Sequence, residues 1–129
     1  VIADTSVWIR AMRIETSNER KVLDSLLQSN DVVMIGPVMG EILQGSRNAG
    51  EYDRLRSRLS ALPFIETTRN IWSRSGEISY QLYRIGTPVA LLDIVIAALA
   101  LEYNQPLYTL DEHFGRIPGL ELYSPSPTD

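Results

Sequence analysis

Three aspartates lie directly after predicted strands or at the start of a predicted helix, where α/β proteins with parallel sheets often carry functional side chains. Asp4 and Asp111 each follow a short apolar run, and Asp93 opens a long apolar helix. The carboxyl ends of parallel strands meet at one edge of a sheet, where open α/β proteins bind ligands. We therefore expect Asp4 and Asp111 to share that edge. The sequence does not place Asp93 there, and each aspartate could equally be a helix N-cap.

Glu41 is a weaker candidate on its spacing alone. On a helical wheel it lies beside the predicted apolar stripe, which consists of Val38, Met39, Ile42 and Leu43. A solvated glutamate is the simplest interpretation of that position. The small residues Gly40 and Gly45 nevertheless leave room for a ligand or another chain to approach closely.

Carboxylates gathered at one edge would repel one another and take up protons unless a cation lay among them. Hard oxygen ligands without thiolates favour Mg²⁺ or Mn²⁺, and the chain has no cysteine. Such an ion lowers the pKa of a bound water and holds the oxygens of a phosphodiester during in-line displacement. The chemistry indicated is hydrolysis of a phosphate ester.

The charge balance sets limits on the partners of the protein. The net charge of −4 argues against a basic surface over the whole body. Four acids are enough to account for that charge, so the rest of the chain is neutral. Lys21 is the only lysine, and the other basic residues are arginines, which suit bidentate phosphate contacts but are equally explained by compositional bias.

Apolar runs alternate with amphipathic segments and predict an α/β fold. Strands are predicted over residues 1–3, 32–35, 63–66, 107–110 and 120–123. Helices are predicted over residues 5–12, 19–28, 37–44, 51–62, 69–85 and 93–103, followed by a helical turn over 111–115. Strands that alternate with helices indicate a three-layer α/β/α sandwich around a mostly parallel sheet of about five strands.

The chain is expected to form one domain over residues 1–123, with a frayed tail over 124–129. The longest apolar run, over residues 94–101, is far short of the roughly 20 residues that a membrane span needs. There is no secretory leader pattern at the N-terminus. A cytoplasmic protein without a membrane partner fits these features.

Four motifs together resemble the PIN-domain family, and more narrowly its VapC-type toxins from bacterial and archaeal toxin–antitoxin pairs. The motifs are Asp-Thr-Ser-Val-Trp-Ile (4–9), Gly-Glu-Ile-Leu-Gln-Gly (40–45), Leu-Leu-Asp-Ile-Val-Ile-Ala-Ala-Leu-Ala (91–100) and Tyr-Thr-Leu-Asp-Glu-His-Phe (108–114). They have the order and approximate spacing of the family. The resemblance implies a PIN-like fold and a metal-dependent endoribonuclease.

The resemblance also assigns roles to residues. Asp4 and Asp93 would be the main Mg²⁺ or Mn²⁺ ligands, Glu41 and Asp111 would complete the pocket and orient the attacking water, and Ser6 and Thr109 would support the acids. Thr5 or Ser6 would then take over the capping of the first helix. A homodimer, an RNA substrate and a cognate antitoxin that covers the active site are further implications of the resemblance.

Several alternatives remain open. A PIN-like module that binds RNA or protein without catalysis is the main competing function. His113 and the two tryptophans, Trp8 and Trp72, are assigned to packing, the surface or an interface rather than to chemistry. A group of arginines could contact RNA phosphates, contact antitoxin acids or face only solvent: Arg54, Arg56 and Arg58, with Arg10, Arg13 and Arg84 as further candidates.

Overall fold

The computed structural model describes residues 1–125, which form six α-helices, four short strands and a 3₁₀ turn. The strands are β1 (Ile2–Ala3), β2 (Met34–Ile35), β3 (Phe64–Ile65) and β4 (Leu107–Tyr108). The helices are α1 (Thr5–Arg13), α2 (Asn18–Gln28), α3 (Gly36–Gln44), α4 (Ala49–Ser60), α5 (Arg69–Arg84) and α6 (Leu91–Glu102), and the turn spans Glu112–Arg116. The predicted α/β class is confirmed. Most of the predicted frayed tail, residues 126–129, lies outside the described residues.

The strands are shorter than predicted and pair in parallel. β1 pairs with β4, and β2 pairs with β3. The amide of Val33 donates to the carbonyl of Val1 at 2.9 Å and joins the two pairs. A parallel bridge between Leu107 and Leu122 adds a fifth segment beside β4. The expected fifth strand is thus reduced to a single bridge, because only Leu122 pairs with β4 in the geometry of a parallel sheet.

The order of these segments is β3, β2, β1, β4 and then Leu122. From β1 the chain moves outward through β2 to β3, and it then crosses back through α5 and α6 to β4 on the other side of β1. The direction of winding therefore reverses between β1 and β4. Ligands of open parallel sheets bind at such a switch point, outside the carboxyl ends of the strands.

Helix α6 is the centre of the core. Residues 94–100 are at most 2% exposed, as expected for a helix that is apolar on every side. It packs against α5, where the buried Ser75 hydroxyl donates to the carbonyl of Ile71 and needs no partner from α6. The first turn of α6 emerges from this packed body and carries Asp93. No helix within residues 1–125 is long and apolar enough to cross a membrane.

Candidate active site

Asp4 lies at the end of β1 and is the N-cap of α1. Its Oδ1 accepts hydrogen bonds from the Val7 amide at 3.2 Å and from the Ser6 hydroxyl, and its Oδ2 accepts from the Thr109 hydroxyl. The side chain is 4% exposed. The expectation that Thr5 or Ser6 would cap α1 is wrong, because Asp4 points back over the first turn and caps the helix itself. Oδ2 accepts only one of these bonds and is the oxygen with capacity for a cation.

Ser6 and Thr109 connect the Asp4 carboxylate to the chain after β4. The Ser6 oxygen accepts from the amide of Leu110 at 3.1 Å, and the Thr109 oxygen accepts from the amide of Asp111 at 3.0 Å. Each hydroxyl therefore donates to Asp4 and accepts from the segment that carries Asp111. This double bridge fixes the ends of β1 and β4 relative to each other. The supporting role that the sequence resemblance implied for these two residues stays a prediction.

Burial raises the pKa of the Asp4 carboxyl above its usual range. The hydroxyls of Ser6 and Thr109 and the Val7 amide act in the opposite direction, because they stabilise the carboxylate. The burial effect is the larger of the two. An ionised Asp4 therefore gains from any further positive charge that reaches it.

Asp93 lies in the first turn of α6. It caps nothing, since the N-cap position is Ala90, and no residue within 1–125 donates a hydrogen bond to its carboxylate. Burial raises the pKa of Asp93, and the charges of Asp111, Glu41 and Asp4 raise it further, against a smaller opposing effect of His113. The charges of the other three sequence-predicted acids thus act on Asp93, which spacing alone did not relate to them.

Glu41 is half-buried on α3 and is held by a residue that the sequence analysis did not assign to the site. The Thr5 hydroxyl donates to Glu41 Oε1 at 2.7 Å. The helical wheel indicated a solvated glutamate because it describes α3 in isolation. Helix α1 packs against α3 and presents Thr5 to the carboxylate. In the sequence, the only indication of the Thr5–Glu41 contact was the position of a threonine directly after Asp4.

His113 was set aside from the sequence and yet lies against Asp111. Asp111 caps the 3₁₀ turn by accepting from the His113 amide at 2.9 Å, and the His113 Nδ1 lies 2.7 Å from the same carboxylate oxygen. The tight 3₁₀ turn places the His113 side chain over Asp111, two residues earlier in the chain. In an α-helix these two side chains would point in different directions. Both residues line an open cleft of about 580 Å³, together with Ser6 and Arg116.

The two tryptophans differ in burial. Trp8 is 8% exposed and belongs to the core, as predicted. Trp72 is half exposed on α5. Neither residue lines the cleft beside Asp111.

The donor set suits a hydrated hard cation. Among residues 1–125, no three His, Cys, Asp or Glu side chains are already spaced to hold a metal ion jointly. Mg²⁺ needs no such cage, because it binds through one or two carboxylates and keeps several of its waters. The other acids raise the pKa of Asp93 through their charge but do not form a closed set of metal ligands. This arrangement fits that mode of binding.

Comparison with known proteins specifies the class of this α/β fold, which carries Asp4 and Asp111 after the paired strands β1 and β4. The chain belongs to the PIN domain family, whose sequence profile matches residues 1–120. The predicted resemblance to that family is confirmed. No sequence among curated proteins matched the chain.

Solved structures share the fold over nearly the whole chain. A chain of VapBC2 from Rickettsia felis, bound to a DNA fragment from its promoter, superposes with a TM-score of 0.79 at 24% identity and covers 95% of this chain and 96% of that one. VapBC-1 from nontypeable Haemophilus influenzae gives 0.77 at 23% identity, with coverages of 95% and 96%. VapC20 of Mycobacterium tuberculosis, a sarcin-ricin loop cleaving toxin, gives 0.70 at 17% identity, with coverages of 96% and 98%.

Proposed function

We propose that this chain is a divalent-metal-dependent endoribonuclease of the VapC type, the toxin of a toxin–antitoxin pair. The observation that carries the proposal is that Asp4 and Asp111 follow the paired strands β1 and β4, and that the charges of both acids and of Glu41 raise the pKa of Asp93. The fold shared with VapBC complexes and with a sarcin-ricin loop cleaving toxin supports it.

Asp4 and Asp93 would hold Mg²⁺ or Mn²⁺, with Glu41 and Asp111 around it. When bound, the ion would supply an activated water and neutralise charge on the phosphodiester. Ser6 and Thr109 hold the Asp4 carboxylate in one orientation, and Thr5 does the same for Glu41. Glu41 and Asp111 would accept hydrogen bonds from the attacking water and aim it at the phosphorus. These roles need rigid carboxylates, and each of the hydroxyl contacts provides that rigidity.

The partners follow from the same proposal. The substrate is RNA, and the regulator is an antitoxin that covers the acidic cluster. The toxin is expected to act as a homodimer, as proposed from the family resemblance. One domain over residues 1–123 would carry the whole activity.

End mapping of total RNA tests the proposal. The purified chain, incubated with total RNA and Mg²⁺ or Mn²⁺, should create new internal ends at recurrent sites, and chelation should remove them. Asp4→Asn protein, prepared in parallel, controls for contaminating nucleases. New ends that are equally abundant with the Asp4→Asn protein, or no new ends at all, would contradict the proposal and favour a binding module without catalysis.

Thr5→Val should reduce the cleavage rate by weakening the hold on Glu41. Valine keeps the shape of threonine but cannot donate to Glu41 Oε1, and a hydrogen bond to a charged group is worth about 1.5–3 kcal/mol. If the whole effect reaches the transition state, kcat falls about tenfold or more. The measurement is single-turnover RNA cleavage, with Thr5→Ser as the matched control that keeps the hydroxyl. Equal rates for the valine and serine variants would show that Thr5 does not position Glu41.

A further inference from the structure

We infer that the groove between α1, α3 and α4 binds the sugar–phosphate backbone of single-stranded RNA on one side of the cleavage site. This inference rests on the proposed ribonuclease function. The groove has a volume of about 370 Å³ and is lined by apolar residues, by Glu51 and by four arginines, Arg13, Arg47, Arg54 and Arg58. We call it the α1–α4 groove.

The α1–α4 groove holds positive charge that the protein does not compensate. Arg47 is paired with Glu51 at 3.2 Å. For Arg13, Arg54 and Arg58, no carboxylate of residues 1–125 lies within the 4.0 Å that defines an ion pair. Several arginines elsewhere are neutralised, including Arg10 by Glu19, Arg20 by Asp24 and Arg74 by Glu102. An acidic protein thus keeps a cluster of unpaired guanidinium groups in one groove.

Shared lining residues link the groove to the candidate active site. Ile9 and Arg13 line both the α1–α4 groove and a second opening, which also contains Ser6 and Leu110. Ser6 and Leu110 in turn line the cleft beside Asp111. A strand that passes Asp111 can therefore follow α1 past Arg13 and continue along α4.

The charge of the active site explains why the strand must be held there. Four carboxylates repel a polyanion, so binding energy has to come from the flanks of the cluster. Arg54 and Arg58 are one helical turn apart, which places their Cβ atoms about 5–6 Å from each other on the same face. Guanidinium groups bind phosphates through planar, bidentate hydrogen bonds. These contacts carry no sequence information and fix the register of the strand.

Arg56 provides a matched control. It has the same charge, lies on the same helix between the two groove arginines and is exposed, but it does not line the groove. The variants are Arg54→Gln/Arg58→Gln and Arg56→Gln. Binding of a fluorescently labelled single-stranded RNA of mixed sequence to the full chain is measured in EDTA at about 50–200 mM NaCl, and cleavage of the same RNA is measured with Mg²⁺. Melting curves verify that each variant is folded.

The double variant should bind the RNA about a hundredfold more weakly than wild type, at about tenfold for each charge-assisted contact. The slope of log K against log salt should become shallower by about 1.4, since each phosphate contact with a single strand contributes about 0.7. In cleavage, KM should rise while kcat stays unchanged. Arg56→Gln should behave like wild type.

Two outcomes would overturn the inference while leaving the proposed function intact. The first is RNA binding and KM that change equally in the double variant and in Arg56→Gln. The second is RNA binding that is unchanged in the double variant; a polyglutamate peptide, tested in the same binding assay and bound less well by the double variant, would then assign the groove to an acidic protein segment. Failure of the wild-type chain to bind or cut RNA would instead contradict the proposed function itself.

Discussion

Asp93→Asn is expected to abolish RNA cleavage and to make the metal-free protein more stable. The carboxylate of Asp93 is half-buried beside Asp111, Glu41 and Asp4, and within residues 1–125 no donor stabilises it. Asparagine removes the charge that would bind the metal and removes the repulsion at the same time. Loss of a metal ligand should lower kcat by about a thousandfold or more, a fraction of the total acceleration that enzymes achieve. An ordinary destabilising mutation would lower activity and stability together.

The pH dependence of stability gives this prediction a sign. The pKa of Asp93 is raised in the folded protein, so the fold disfavours its ionised form. The resulting destabilisation is absent below the ordinary pKa of 3.8 and develops as the pH rises through the raised value. The charge of His113 opposes the rise in the pKa of Asp93 in part. Urea unfolding of the chelated protein should therefore show a difference between Asp93→Asn and wild type that grows from pH 3.8 upward.

Asp53→Asn is the control for this comparison. Asp53 is exposed on α4. The Asp53→Asn substitution changes the net charge of the chain by the same amount as Asp93→Asn. Its variant should match wild type in cleavage and in the pH dependence of the free energy of unfolding. A stability gain of the same size in both variants would mean that net charge, and not the acidic cluster, is responsible.

Mg²⁺ should raise the melting temperature of the wild-type chain. An ion that binds only the folded state stabilises it by mass action, by about 2.7 kcal/mol at a hundredfold excess over its Kd. For a domain of this size that corresponds to about 10 °C in Tm. The shift should be present in Asp53→Asn and absent in Asp93→Asn. Differential scanning calorimetry across a Mg²⁺ titration measures it, and a wild-type Tm that is independent of Mg²⁺ would count against a metal site.

The sequence predicts those parts of the fold that depend on local pattern. The continuous apolar run of α6 predicts a buried helix, and residues 94–100 are indeed buried on every side. Asp4 and Asp111 are predicted at one edge because strand order does not alter where parallel strands end. Strand length is less predictable: the apolar run over 32–35 contributes only Met34 and Ile35 to a ladder, since pairing depends on the neighbouring chain.

The remaining parts of the site depend on contacts between elements that are distant in sequence. Glu41 looked solvated because nothing in α3 itself shows that Thr5 of α1 donates to it. Asp93 could not be assigned to the edge because its position depends on how α6 packs against the rest of the core. Arg54 lines the α1–α4 groove and Arg56 does not. This difference depends on how α4 packs against α1 and α3, which the sequence of α4 alone does not show. Family resemblance predicted roles for Glu41 and Asp93 that helical periodicity could not.

The most direct test of the central claim is the rate at which the chain cleaves one defined single-stranded RNA as Mn²⁺ is removed and restored. Wild-type protein should lose cleavage in chelator, regain it with saturating dependence on Mn²⁺, and do so in parallel with the metal-induced rise in Tm. Asp93→Asn should show neither response. Cleavage by the wild-type chain that continues undiminished after complete removal of divalent metal would contradict a catalytic site built on these four carboxylates.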